Sequence, residues 1–231
     1  MKIIKNYTRE VYKTKAEWLN ARGIGGSSAA VVMGESKWGN KATLFDELQG
    51  FKKVIPTSSR MQEGVDSEAR IRDLFLIHNK QFKAKKPSKR QYVVYRRVDY
   101  PRLTLTPDCL IKNKETKELG FIEVKDVEVF SEKERLAYLE GMIPTQYKWQ
   151  VLHYYVVKQD LDFGILLVNI NIMSKNRETN KWEFSHSETY PISINKETWK
   201  VEINKLFKKE LAFLKRVDDN EPFGTVVNLN L

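Results

Sequence analysis

Hydrophobic and polar positions alternate most regularly at GFIEVKDVEVF, residues 120–130. A period of two marks a strand, with Phe121, Glu123 and Lys125 on one face and Ile122 and Val124 on the other. Further strands are predicted near 91–98 and 103–111. A strongly apolar strand is predicted at 162–173, and another at 182–190 behind the hairpin turn NRETNK (176–181). Thr14-Lys-Ala-Glu17 is a capping-box pattern that opens a helix over 15–21. Ser27 or Ser28 is expected to cap a short helix ending at Gly34, and residues 41–49 a helix closed by Gly50. Helices are also expected over 65–79, with Leu74, Phe75 and Ile77 apolar, and over 146–158. A last helix is expected from Ser193 or Asn195 to about 216. Its stripe Trp199, Ile203, Leu206 and Phe207 has helical spacing, and its lysines are expected to face solvent. PTSSR (56–60) reads as a loop, and the charged stretch 130–145 as a mobile insertion. The middle of the chain runs helix, three strands, helix, strand, which predicts an α/β core with helices packed on a mixed sheet.

Composition narrows this picture. The 231 residues, 41% apolar and 30% charged, suit one well-cored globular domain. MKIIKNYTREVYKT lacks the apolar core of a signal peptide, and no apolar run approaches the roughly 18–20 residues of a membrane span, so an intracellular protein is expected. The single cysteine, Cys109, excludes an intramolecular disulfide framework, a zinc site of several thiolates and a four-cysteine iron–sulfur cluster. The net charge of +10 suggests a polyanionic partner, nucleic acid before anionic membrane, though a merely soluble basic protein has the same balance. The surplus concentrates in KQFKAKKPSKRQYVVYRRV (80–98), with eight Lys or Arg and no acid. Tyr92–Tyr95 read as a strand within it. Lys85, Lys86, Lys89 and Arg90 are therefore expected to track a DNA backbone.

The strand preceding Glu123 ends LTLTPDCLI. Pro107 punctuates it and leaves Asp108 at a strand end or bend. If 103–111 pairs with 120–129 through the turn KNKETKELG, Asp108 comes beside Glu123. Two close carboxylates repel each other, and a divalent cation compensates them. Oxygen ligands from acids, the Val124 carbonyl and waters suit Mg²⁺ or Mn²⁺. Lys125 on the same face would reach a water or phosphate oxygen, and the face becomes a site for phosphodiester hydrolysis. E-x-K alone reads more readily as a surface salt bridge; Asp108 upstream and the order of elements are what favour the metal site.

TPD(108), followed after 14 residues by E(123)VK(125), resembles the PD-(D/E)xK nuclease signature. GIGGSSAAVVMG (23–34), behind Trp18 and Arg22, resembles the N-terminal motif of the YqaJ-like viral recombinase family, the lambda-exonuclease group. EGVDSEAR (63–70) resembles that family's glutamate-bearing helix and YKWQVLHYY (147–155) its glutamine-bearing helix. Together the four motifs cover roughly 15–160; residues 174–231 carry none. The resemblance implies a restriction-endonuclease-like α/β (α+β) core of order α-β-β-β-α-β. One nuclease domain is expected over 1–231, with a helical part at 1–60, a catalytic core at 61–173 and, from the residue pattern alone, a C-terminal hairpin and basic helix at 174–231. The resemblance further implies metal binding by Asp108, Glu123, the Val124 carbonyl and Glu68, and catalysis by Lys125. Gln150 would orient the lysine or a water, with Gln146 as rival and His153 nearby; Thr106 stands where a small hydroxyl residue precedes the proline.

The family further implies Mg²⁺-dependent 5′→3′ digestion of linear double-stranded DNA and a RecT- or Redβ-type annealing partner. It also implies homo-oligomers, rings among them, and a phage or prophage protein in the bacterial cytoplasm. A restriction-like endonuclease and a non-catalytic DNA-end-binding module are the alternatives. The complete Asp108, Glu123 and Lys125 set argues against the latter. Arg22, Gly25, Gly26 and Ser27 suit either a plain loop and N-cap or a phosphate pocket built on helix amides. The resemblance points to the second, because Arg22, Gly26 and Ser27 fall where the family binds a 5′-terminal phosphate.

Overall fold

The computed structural model describes residues 6–51, 59–85 and 92–223, with the backbone alone at 59–63. The chain runs β1 (Tyr7–Tyr12), α1 (Lys15–Ala21), α2 (Gly26–Met33), α3 (Lys41–Leu48), α4 (Ser59–His78), β2 (Phe82–Lys85) and β3 (Tyr92–Arg97). It continues with β4 (Thr104–Leu105), β5 (Cys109–Asn113), β6 (Leu119–Val129), α5 (Glu132–Leu139), α6 (Thr145–Val157), β7 (Phe163–Lys175), β8 (Trp182–Asn195) and α7 (Lys200–Asp218).

The main sheet has the order β2-β5-β6-β7-β8, in which only β6 and β7 are parallel. Parallel neighbours need a crossover, and α5 and α6 supply it. A second, antiparallel sheet has the order β1-β3-β4. Residues of β7 are buried on both faces from Gly164 to Ile170, as a strand covered on both sides requires. On one face, Cys109, Ile111, Ile122, Val124, Ile165 and Leu167 close over Ile71 of α4. On the other, Phe121, Leu166, Val168 and Ile170 join the buried faces of α2, α6 and α7. Phe121 meets Tyr154 and Tyr155 edge-on, with ring centroids at 4.8 and 5.5 Å. Such pairs contribute about 0.5–1.5 kcal/mol beyond burial, and here they set how α6 lies on β6. Among the described residues, no helix is long and apolar enough to cross a membrane.

Several elements differ from the sequence expectation. Residues 103–111 are not one strand: β4 pairs with β3 in the small sheet, whereas β5 pairs with β2 and β6 in the large one. Thr106-Pro107-Asp108 carries the chain between them. The charged stretch 130–145 is not a structureless insertion. Ser131 caps α5, and Arg135 forms a bidentate ion pair with Glu188 of β8 at 2.8 and 3.0 Å. Ser59 and Arg60 belong to α4 rather than to a loop, and residues 56–58 lie outside the described residues. Ser193 and Asn195 end β8 instead of starting the last helix; Asn195 turns the chain by accepting from the Glu197 and Thr198 amides. The cap of α2 is Gly25, without a side-chain hydrogen bond, not Ser27 or Ser28. Strands β1 and β2 were not expected at all. The α1 capping box forms as the sequence predicts, and Trp199, Ile203, Leu206 and Phe207 pack on the core.

Candidate active site

The register Cys109↔Ile122 continues to set Asp108 opposite Glu123. Because the strand breaks at Pro107, the Asp108 carboxylate bonds to the β6 backbone: its Oδ2 accepts from the Val124 N–H at 2.8 Å. Burial pushes the Asp108 pKa well up, and repulsion from Glu123 and Glu68 adds to it; the Val124 N–H and Lys125 work the other way.

Glu123 is 3% exposed and saturated with donors. Its Oε1 accepts from Lys125 Nζ at 2.7 Å and from Gln150 Nε2, and its Oε2 from the Tyr154 hydroxyl at 2.6 Å. Burial opposes the charge on Lys125, but Glu123, Asp108 and Glu68 outweigh it and hold the pKa above the ordinary lysine value. Lys125 therefore stays an ammonium, with the Tyr147 ring 5.5 Å away. Tyr147, Gln150 and Tyr154 recur at i, i+3 and i+7, one stripe of α6 laid on β6. Gln150, not Gln146, reaches Glu123. Tyr147 and Tyr154 went unrecognised in the sequence, although their spacing from Gln150 was the available signal. His153 points away and bonds to Glu210 and the Thr104 carbonyl.

Glu68 comes to the same field from α4. Ser67 donates to Asp126 Oδ2 at 2.8 Å and ties that helix to the end of β6. Burial, set against Lys125 but reinforced by Glu123 and Asp126, raises the Glu68 pKa to about 6. Among the described residues, no three His, Cys, Asp or Glu side chains form a closed metal cluster as they stand. The donor chemistry nonetheless fits a hard cation. Beyond burial, Glu123 and Glu68 raise the Asp108 pKa and Glu123 raises that of Glu68, while Lys125 is bonded to Glu123.

The glycine motif meets this centre from the other side. Gly26 opens α2 against α6: a Cβ there would lie 2.7 Å from a Tyr154 ring carbon and 2.9 Å from Gln150 Cγ. Only glycine lets the helix start approach so closely. Arg22 stacks on Trp18 at 4.8 Å, and a Cβ on Gly25 would come within 3.2 Å of its guanidinium. Burial lowers the Arg22 pKa, opposed by the neighbouring Tyr154. Tyr154 thus contacts both Glu123 and the start of α2, joining motifs that are almost a hundred residues apart in sequence. Ser27 is exposed on the first turn of α2. Of the basic residues expected to bind DNA, Lys85 ends β2, whereas Lys86, Lys89 and Arg90 lie outside the described residues.

In fold, the chain is similar to an alkaline exonuclease (LHK-Exo) from Laribacter hongkongensis. The TM-score is 0.56 at 17% identity, covering 89% of this chain and 94% of that one. It is also similar to the structure of LHK-Exo in complex with dAMP, with a TM-score of 0.55 at 14% identity over 90% and 96% of the two chains. These are exonucleases of restriction-endonuclease-like fold, and the mixed five-stranded sheet between helices is of that kind. No curated protein matches the chain in sequence. The model of the YqaJ-like viral recombinase domain matches residues 17–159, a span holding Arg22, Gly26, Glu68, Asp108, Glu123, Lys125 and Gln150, and the chain belongs to that family.

Proposed function

We propose that the chain is a metal-dependent 5′→3′ exonuclease. It would digest linear double-stranded DNA from a 5′-phosphorylated end and leave 3′ single-stranded tails for recombination by strand annealing. The observation that carries this reading is the contact chain Gly26–Tyr154–Glu123: a glycine loop suited to a terminal phosphate abuts a carboxylate and lysine centre suited to hydrolysis. Asp108, Glu123, Glu68 and the Val124 carbonyl would hold Mg²⁺, with Mn²⁺ as a substitute. A bound divalent cation supplies polarisation of the phosphodiester and a more acidic water. Lys125, kept charged by its acidic neighbours, stabilises negative charge developing on the phosphate. Gln150 and Tyr154 fix the Glu123 carboxylate between them. Arg22 offers a planar guanidinium for the terminal phosphate, and the uncapped start of α2 offers its amides. One similar structure is a complex with dAMP, a mononucleotide of the kind stepwise digestion would release. A RecT- or Redβ-type annealing protein as partner, a ring-shaped homo-oligomer and a cytoplasmic site of action belong to the same proposal and follow from family membership alone.

The decisive assay incubates the protein with linear duplex, covalently closed circular duplex and single strands, with Mg²⁺ or with EDTA. Linear duplex should be degraded from its ends, closed circles should survive, and EDTA should stop the reaction. Cut circles would turn the reading to an endonuclease, and undiminished activity in EDTA would remove the metal.

Arg22→Ala should erase most of the preference for 5′-phosphorylated over 5′-hydroxyl ends. The expected loss is about 10–100-fold on the phosphorylated substrate, corresponding to a charge-assisted hydrogen bond of about 1.5–3 kcal/mol. The slower rate on 5′-hydroxyl ends should hardly change. If the wild type digests both ends equally well, the Arg22 loop is a structural turn.

A further inference from the structure

A cavity of ≈ 440 Å³ opens between the small sheet and the β2-β5-β6 face of the large one. Five cationic residues line it: Arg9, Lys83, Lys85, Lys112 and Lys158; no acidic residue does. Tyr7, Tyr95 and aliphatic side chains supply the rest of its wall. Lys158 is paired with Asp160, and the site is built on Lys83 of β2 and Lys112 of β5.

The register makes this excess more telling. Lys83 of β2 stands directly across from Lys112 of β5, and Lys85 is two residues along on the same face. Like charges directly opposite in an antiparallel pair destabilise the sheet. An anion held between them turns that cost into a binding contribution. Lys112 in turn faces Leu119 of β6, on the same face as Phe121, Glu123 and Lys125. Leu119 precedes Glu123 by four residues, roughly 13 Å along the strand. The cavity and the carboxylate centre therefore lie along one face of one strand.

We propose that this cavity binds a nucleotide of single-stranded DNA, its phosphate between Lys83 and Lys112 and its base against the tyrosine and aliphatic wall. The volume lies in the range of small-ligand sites, about 300–1,000 Å³, and is too small for paired strands. Cations tracking a backbone beside apolar and aromatic surface for bases is the chemistry of single-strand recognition. The inference goes beyond the hydrolytic reading and needs it only for the presence of a separated strand.

The test measures fluorescence anisotropy of a labelled dT12 oligonucleotide in EDTA, so that no cleavage is needed. Wild type is compared with the double variant Lys83→Ser/Lys112→Ser, whose side chains are both exposed. The variant should bind dT12 about 10-fold more weakly, and its slope of log affinity against log salt should fall by about 0.7 for the one phosphate held between the two lysines. A 5′-phosphorylated blunt hairpin should bind both proteins alike, and the melting temperature should hold or rise once the facing lysines are gone. dTMP should displace dT12 at lower concentration than inorganic phosphate does. Unchanged dT12 affinity, or an equal loss for the hairpin, would overturn the cavity as a single-strand site. Equal displacement by phosphate would reduce it to a bare anion site. Absence of nuclease activity alongside weakened dT12 binding would sink the hydrolytic reading alone.

Discussion

Lys125→Ala is expected to slow digestion of linear duplex by about 10²–10³-fold or more, the usual cost of removing one donor aimed at developing charge. DNA binding should survive, because many basic contacts are expected to contribute to it and Lys125 is only one cation. The structural consequence is also defined. Glu123 would keep Gln150 and Tyr154 as donors but lose its ion-pair partner Lys125. A buried carboxylate deprived of its counter-charge costs stability, so melting curves and anisotropy must accompany the rate measurement. Asp108→Ala and Glu123→Ala should be equally inactive and should in addition lack the thermal stabilisation that Mg²⁺ or Mn²⁺ is expected to give the wild type. Cleavage at the wild-type rate by any of the three would remove the site assignment.

The second large effect is expected far from the reacting phosphate. His153 of α6 and Glu210 of α7 are both fully buried. Glu210 Oε1 lies 2.6 Å from His153 Nδ1, and His153 Nε2 lies 2.9 Å from the Thr104 carbonyl. A carbonyl only accepts, so Nε2 carries a proton. The Thr104 hydroxyl in turn accepts from the Gly23 N–H at 3.2 Å and donates to the Ile24 carbonyl at 3.3 Å. The pair thus props the strand against which the glycine loop is folded. Glu210→Ala should cost about 3–5 kcal/mol in urea unfolding, the range for breaking a buried ion pair.

The pair also has a pH signature. Burial opposes the charge on His153, but the Glu210 carboxylate and the Thr104 carbonyl outweigh it, with Arg22 acting against them, and the net direction is upward. A group whose folded pKa is raised contributes stability that is complete below its unfolded value, about 6.5. That contribution disappears as pH rises through the folded pKa. The stability gap between wild type and Glu210→Gln should therefore be widest at pH 6 and narrow toward pH 9. A constant gap would mean that His153 is neutral when folded.

The acid–lysine face of β6 was legible because side-chain direction in a strand has a period of two, whatever the strand packs against. The α1 capping box was legible because Thr14 and Glu17 satisfy each other locally. Asp108 beside Glu123 was legible because a short turn joins adjacent antiparallel strands. Other features depended on partners distant in sequence. A short apolar run does not say which sheet it joins, so β4 and β5 read as one strand. The α5 segment is held by Arg135 and Glu188, 53 residues apart, and its composition alone looked like solvated loop. A serine, Ser27 or Ser28, suits the cap of α2 by type, but the position of Gly25 and Gly26 is dictated by clearance against Arg22 and Tyr154.

By itself, then, the sequence determined which chemistry the chain carries: two carboxylates, a lysine and a glycine-rich helix start, each written in a local pattern of a few residues. Only the tertiary structure decided that Tyr154 joins them, that Gln150 rather than Gln146 holds Glu123, and that Glu210 of the motif-free C-terminal segment braces the loop through His153. Those assignments rest on side-chain clearance and hydrogen bonding between elements that meet only after the sheet has formed and α2, α6 and α7 have packed on one of its faces.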